Sequence, residues 1–163
     1  MLFKIISLSV VVLASSMAMA DTVYLVRHAE KLADGKDPAL TVCGQARADA
    51  LATSLADVKL AAVYVTPYQR TRQTAAAVAK HQQLAVTDYD PRQVEPLVTQ
   101  LKAQTWPVLV VGHSNTVPEL VTQLSGIAMA PLTEQDYDLL YQVKLTPPVS
   151  VSISRQSFRC KPL

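Results

Sequence analysis

Apolar residues along this chain fall into two kinds of stretch. Thr22-Val-Tyr-Leu-Val26, Leu60-Ala-Ala-Val-Tyr-Val65 and Val108-Leu-Val-Val111 are near-continuous runs of strand-forming residues. Such runs suit strands buried on both faces rather than on one. Between them the apolar positions recur at helical spacing. Leu51, Leu55 and Val58 stand at i, i+4 and i+7 in a helix expected over about 42–56, and Val117, Leu120, Val121 and Leu124 give a later helix one apolar face. Thr66-Pro67-Tyr68-Gln69 and Thr116-Val-Pro-Glu119 read as helix starts with capping boxes, the threonine capping and the Gln or Glu three residues on answering it. The remaining elements are a helix from 66 to about 80, a short strand over 84–87 and a helix over 92–103. Two further runs, 139–145 and 149–154, flank Pro147-Pro148 and read as antiparallel edge strands. Alternation of strand and helix predicts an α/β layer fold with a mainly parallel sheet.

Composition narrows the class. A length of 163 residues predicts one domain, and 50% hydrophobic with 17% charged content excludes a disordered chain. A net charge of +2 implies no nucleic-acid partner. The apolar content is inflated at the N-terminus. Lys4, a short apolar run over 5–14 and the small-residue end Ala18-Met19-Ala20 are the parts of a secretory signal peptide, shorter in apolar length than the about 20 residues of a membrane span. The expected organisation is a signal over 1–20 and a domain over 21–163, periplasmic or secreted, with no membrane span after cleavage. Export would place Cys43 and Cys160 in an oxidising compartment, where pairs persist as disulfides. The pair would pin the C-terminal tail to the first helix, a closure worth about 4–5 kcal/mol in the chain-entropy model. The alternative is two independent buried thiols.

Three strand ends carry the candidate chemistry, because ligands in open α/β sheets bind beyond the carboxyl ends of strands. The first strand ends in Arg27-His28-Ala29-Glu30. The second leads to Tyr68-Gln69-Arg70-Thr71-Arg72, and the fourth ends in Gly112-His113-Ser114. Two imidazoles and several guanidiniums at one edge suit a phosphate, since arginine forks match its oxygens and stay charged. The arginines disfavour a metal, and there is no H-x-x-x-H or cysteine cluster. Gly112-His113-Ser114-Asn115-Thr116 lacks the second glycine of a nucleophile elbow.

In order along the chain, Arg27-His28-Ala29-Glu30, Leu40-Thr41-x-x-Gly44-Gln45-Ala46, Tyr68-x-Arg70-Thr71-x-x-Thr74-Ala75 and Gly112-His113 resemble the motifs of the histidine phosphatase superfamily, with Ala29 in place of the usual glycine. The resemblance implies a three-layer, phosphoglycerate mutase-like sandwich and a metal-independent phosphatase without a cofactor. His28 would carry a phosphohistidine intermediate, with Arg27, Arg70 and His113 binding the phosphoryl group. Asp90 ranks first as general acid, ahead of Asp88, Glu95 and Glu30, and absence of any dedicated acid is the competing reading. Asp90 could instead open a helix before Pro91, and Glu119 is assigned to its capping box. The short chain resembles small phosphatases rather than mutases. It implies a small phosphorylated substrate, either a phosphohistidine or, given export, a cell-envelope sugar phosphate. A non-catalytic anion- or partner-binding module on the same fold is the alternative. His81 reads as surface. The 133–138 stretch is placed to rim the pocket, with no chemical role legible in it.

Overall fold

The computed structural model describes residues 21–158 and 160; the signal peptide expected over 1–20 lies outside the described residues. In chain order the elements are β1 (Thr22–Arg27), α1 (Val42–Ser54), β2 (Ala62–Val65), α2 (Gln69–Gln82), β3 (Val86–Asp88), α3 (Glu95–Lys102), β4 (Val108–Gly112), α4 (Thr116–Ser125), β5 (Leu139–Lys144) and β6 (Ser150–Arg155). They build one sheet in the order β3-β2-β4-β1-β5-β6. β1 to β4 run parallel, and the tail strands β5 and β6 are antiparallel.

Both faces of the central strands β1, β2 and β4 are covered, which is why these strands read as unbroken apolar runs. Val23, Leu25, Tyr64, Val108 and Val110 pack with the apolar stripes of α3 and α4. Their alternate neighbours Val26, Val63, Val65, Leu109 and Val111 pack with Leu51 and Leu55 and with Ala75 and Val78 of α2. The result is a three-layer sandwich with a separate apolar core on each side. Among the described residues no helix is long and apolar enough to cross a membrane.

Cys43 in the first turn of α1 is bonded to Cys160 in the tail, with Cα atoms 5.7 Å apart. The Arg47 Nη1–H group donates to the Phe158 carbonyl at 3.4 Å and fastens the same tail. Gly44 has a steric role. A Cβ there would press directly on the Glu30 backbone carbonyl, so only glycine lets α1 lie against the segment leaving β1.

The helix starts differ from the sequence expectation. α2 begins at Gln69 with no cap from Thr66, and Thr116 does not cap α4. α3 begins at Glu95, not near 92. In the first two cases a threonine hydroxyl that could cap a helix is used instead to hold a histidine.

Candidate active site

The chain leaves β1 towards α1 and leaves β4 towards α4, on opposite faces of the sheet. The crevice between these adjacent strands is therefore the topological switch point, where α/β folds bind ligands. Arg27 at the end of β1 pairs with Gly112 at the end of β4, and His28 N donates to the Gly112 carbonyl at 2.9 Å. His113 N donates to Thr116 Oγ1 at 2.9 Å. The two imidazoles face each other with centroids 5.5 Å apart. A Cβ on Gly112 would meet Thr116 Oγ1 at 2.7 Å and Tyr89 Oη at 2.8 Å, so glycine is required beside His113. Ala29 is fully buried and its φ is not positive, so alanine in place of the usual glycine introduces no strain.

Hydrogen-bond partners determine where the protons sit. His28 Nδ1 lies 2.8 Å from the Ala29 carbonyl, which can only accept, so Nδ1 carries the hydrogen and Nε2 holds the lone pair. Thr71 Oγ1 donates to the carbonyls of Thr66 and Tyr68, and it accepts from Thr66 Oγ1. The Thr66 hydroxyl, its hydrogen spent, can only accept from His113 Nε2 at 2.9 Å. Burial pushes His28 down to about 3, helped by Arg27, His113 and Arg70 and opposed by the Ala29 carbonyl. Burial, then Arg70 and Arg27, lowers His113 to about 4. Both rings are neutral at neutral pH.

These shifts fix the sign of a stability effect. The unfolded chain takes up protons at both histidines near pH 6.5, whereas the folded protein resists them until about 3 and about 4. The folded state is therefore fully stabilised above pH 6.5 and loses stability as pH falls towards 4. Thermal melts are expected to show Tm dropping across that window, with a shallower slope in His113→Asn.

The arginines complete the cluster. Arg27 is 4% exposed. Its Nη1 donates to the Thr133 carbonyl at 2.7 Å, its Nη2 to Glu134 at 3.0 Å, and the Tyr137 ring lies 4.2 Å from the guanidinium carbon. Arg70 is half-buried beside the Tyr68 ring at 4.4 Å. The Nε–H groups of both arginines are buried and, among the described residues, have no protein acceptor. Unpaired buried donors of this kind are rare, and paired with two neutral imidazoles they suit a tetrahedral oxyanion.

The family model described as "Histidine phosphatase superfamily (branch 1)" matches residues 23–92. That segment, under half of the chain, is similar to the histidine phosphatase superfamily. Among solved structures, the protein histidine phosphatase SixA complexed with tungstate superposes with a TM-score of 0.68 at 23% identity, covering 82% of this chain and 94% of that one. Mycobacterial glucosyl-3-phosphoglycerate phosphatase superposes with a TM-score of 0.67 at 13% identity, covering 83% and 98%. Its complex with inorganic phosphate gives 0.65 at 13% identity, covering 82% and 95%. At these identities the likeness is one of fold. Among curated proteins no sequence match is found.

The switch point gathers Arg27, His28, Arg70 and His113. Asp90 is the expectation to correct. It stands two residues past β3, in a pocket with Tyr68, Tyr89 and Arg92. Its carboxylate accepts from the backbone and the guanidinium of Arg92, which hold it below the usual carboxylate range. A carboxyl so held is ionised at neutral pH and a poor proton donor. Nor does it open a helix. Glu30 is clamped by Arg47 through both oxygens, Asp88 is paired with Arg72, and Glu95 is exposed in the first turn of α3. His81 is exposed near the end of α2.

Four contributors to this site were not legible as such. Asp37 takes the cap position that Thr66 leaves vacant. Its two oxygens accept from Gln69 N at 2.9 and 3.1 Å, and it lies 3.7 Å from Arg70. Thr66 orients His113, while Tyr137 and Glu134 cover Arg27. A hydroxyl directly after a buried strand was the available signal for Thr66; the other three depend on loops folding back.

Proposed function

We propose that this chain is an exported, metal-independent phosphomonoesterase that passes the phosphoryl group through His28. The observation that carries the reading is the bare Nε2 lone pair of His28 at the switch point, set among buried guanidinium Nε–H donors that lack protein acceptors. Nε2 attacks phosphorus while the bond from phosphorus to the ester oxygen breaks, and that oxygen leaves with a proton. Water then attacks the phosphohistidine, the P–N bond breaks, and His28 returns to its neutral form as inorganic phosphate departs. Arg27 and Arg70 neutralise the phosphoryl oxygens and gain most as charge builds on them. His113, its ring set by Thr66, supplies a third contact.

Fold relatives solved with tungstate and with inorganic phosphate support an oxyanion site. The Cys43–Cys160 disulfide supports an oxidising compartment, in line with the leader-like residues 1–20. The substrate class is a small phosphate ester or a phosphohistidine, with an envelope sugar phosphate the choice that export favours.

A panel of aryl, sugar and alkyl phosphates plus phosphohistidine, assayed with chelator present, tests this. Turnover of the aryl ester and at least one other member is expected. No turnover of any member, with phosphate still raising Tm, would mark the chain as an anion-binding module instead.

A further inference from the structure

Phosphate esters of poor leaving groups need a proton delivered to the departing oxygen. We propose that Glu134 delivers it, from the β5 side of the site and not from the β3 side; this rests on the phosphatase reading above. The carboxylates around the strand ends are almost all committed to the fold. Glu30 is clamped by Arg47, Asp37 caps α2, Asp88 pairs with Arg72 and Asp90 with Arg92. Asp136 accepts from Thr133 N at 2.8 Å and from its hydroxyl, and Asp138 accepts from Arg155. Glu134 differs. Its side chain is 76% exposed, and among the described residues its partner is Arg27, a group that the phosphoryl oxygens themselves would take.

The backbone holding Glu134 is built to this place. After α4 the chain returns across the strand ends. Leu132 N donates to the Ser114 carbonyl at 3.0 Å, next to His113. The Thr133 carbonyl accepts from Arg27, and Asp136 closes a turn on Thr133. Tyr137 lies over Arg27 with its centroid 6.1 Å from that of His28, walling the same side.

Arrival of a phosphoryl group changes the state of Glu134. A phosphate competes for Arg27 with more charge and more acceptor oxygens than a carboxylate. Displaced from Arg27 but still held beside it by the turn that Asp136 closes on Thr133, the carboxyl is left free to act as the acid towards the ester oxygen. Its O–H then gives the proton to the ester oxygen as the bond from phosphorus to that oxygen breaks and the N–P bond to His28 forms. The carboxylate produced takes a proton from the water that attacks phosphohistidine, which restores the acid.

Glu134→Gln tests this in the phosphoenzyme-forming step, read by rapid-quench leaving-group release from an alkyl ester, glycerol phosphate, and an aryl ester, nitrophenyl phosphate. The alkyl rate is expected to fall about 100-fold or more relative to the aryl rate, because the nitrophenolate departs without protonation. Inorganic phosphate should also bind the variant more tightly, since the competing carboxylate is gone. Equal losses on both esters, or an undiminished alkyl rate, would overturn the proposal. So would wild-type protein that releases nitrophenolate but never glycerol. Wild-type protein inert towards both esters would instead remove the phosphatase reading, and this proposal with it.

Discussion

Replacing His28 with alanine is expected to lower kcat on every phosphomonoester by about 10^4-fold or more, the scale seen when a covalent nucleophile is deleted. No other group can take its place at the same point. His113 is the nearest imidazole, but its Nε2 is tied to Thr66 and its backbone to Thr116. The loss should be chemical rather than structural. His28 holds its neighbours through its backbone bond to Gly112, which alanine retains, and the Ala29 amide still donates to Thr74 Oγ1 at 2.9 Å. Phosphate should therefore still raise the Tm of the variant, because Arg27 and Arg70 remain. Turnover within about tenfold of wild type, a small fraction of the expected loss, would contradict the role given to His28.

Arg27→Lys carries the second large effect. The guanidinium does two jobs at once. Its Nη groups hold the Thr133 carbonyl and Glu134, while its Nε–H is buried without a protein acceptor. An ammonium is a single point charge on a flexible stem and cannot hold the loop and present a second donor in a fixed plane. It also gives up the flat stacking on Tyr137. We expect kcat/KM to fall about 10^2- to 10^3-fold, the range for losing one preorganised transition-state donor. Arg70→Lys should lose less, since Arg70 is more exposed and leans on Asp37. Steady-state kinetics on one aryl ester compares the two variants. Near-wild-type kcat/KM in Arg27→Lys would show that the fork geometry is not used.

Much of this architecture was legible because burial on both faces leaves a plain signature. β1, β2 and β4 read as continuous apolar runs, and those strands deliver His28, Thr66 and His113 to one edge. The starts of α2 and α4 depart from the capping pattern for one physical reason. Thr66 and Thr116 have the identity of capping residues, but each hydroxyl is taken by His113, one through its ring and one through its backbone. A local pattern cannot show a competing partner 47 residues away. The expectation for Asp90 meets a competing partner in the same way. Asp90 follows a strand in the expected order, yet Arg92 two residues on neutralises it. Glu134 gains its position from Leu132 binding the Ser114 carbonyl, a contact with no sequence period behind it.

Catalysis through His28 requires a covalent phosphoryl group on its Nε2. It is tested most directly by quenching the wild-type protein in alkali during turnover of nitrophenyl phosphate and mapping the adduct by peptide mass spectrometry. One phosphoryl group is expected on the peptide containing His28, stable in alkali, lost in acid, and missing from His28→Ala. A turning-over enzyme with no trapped adduct, or an adduct on His113 or a carboxylate, would contradict it.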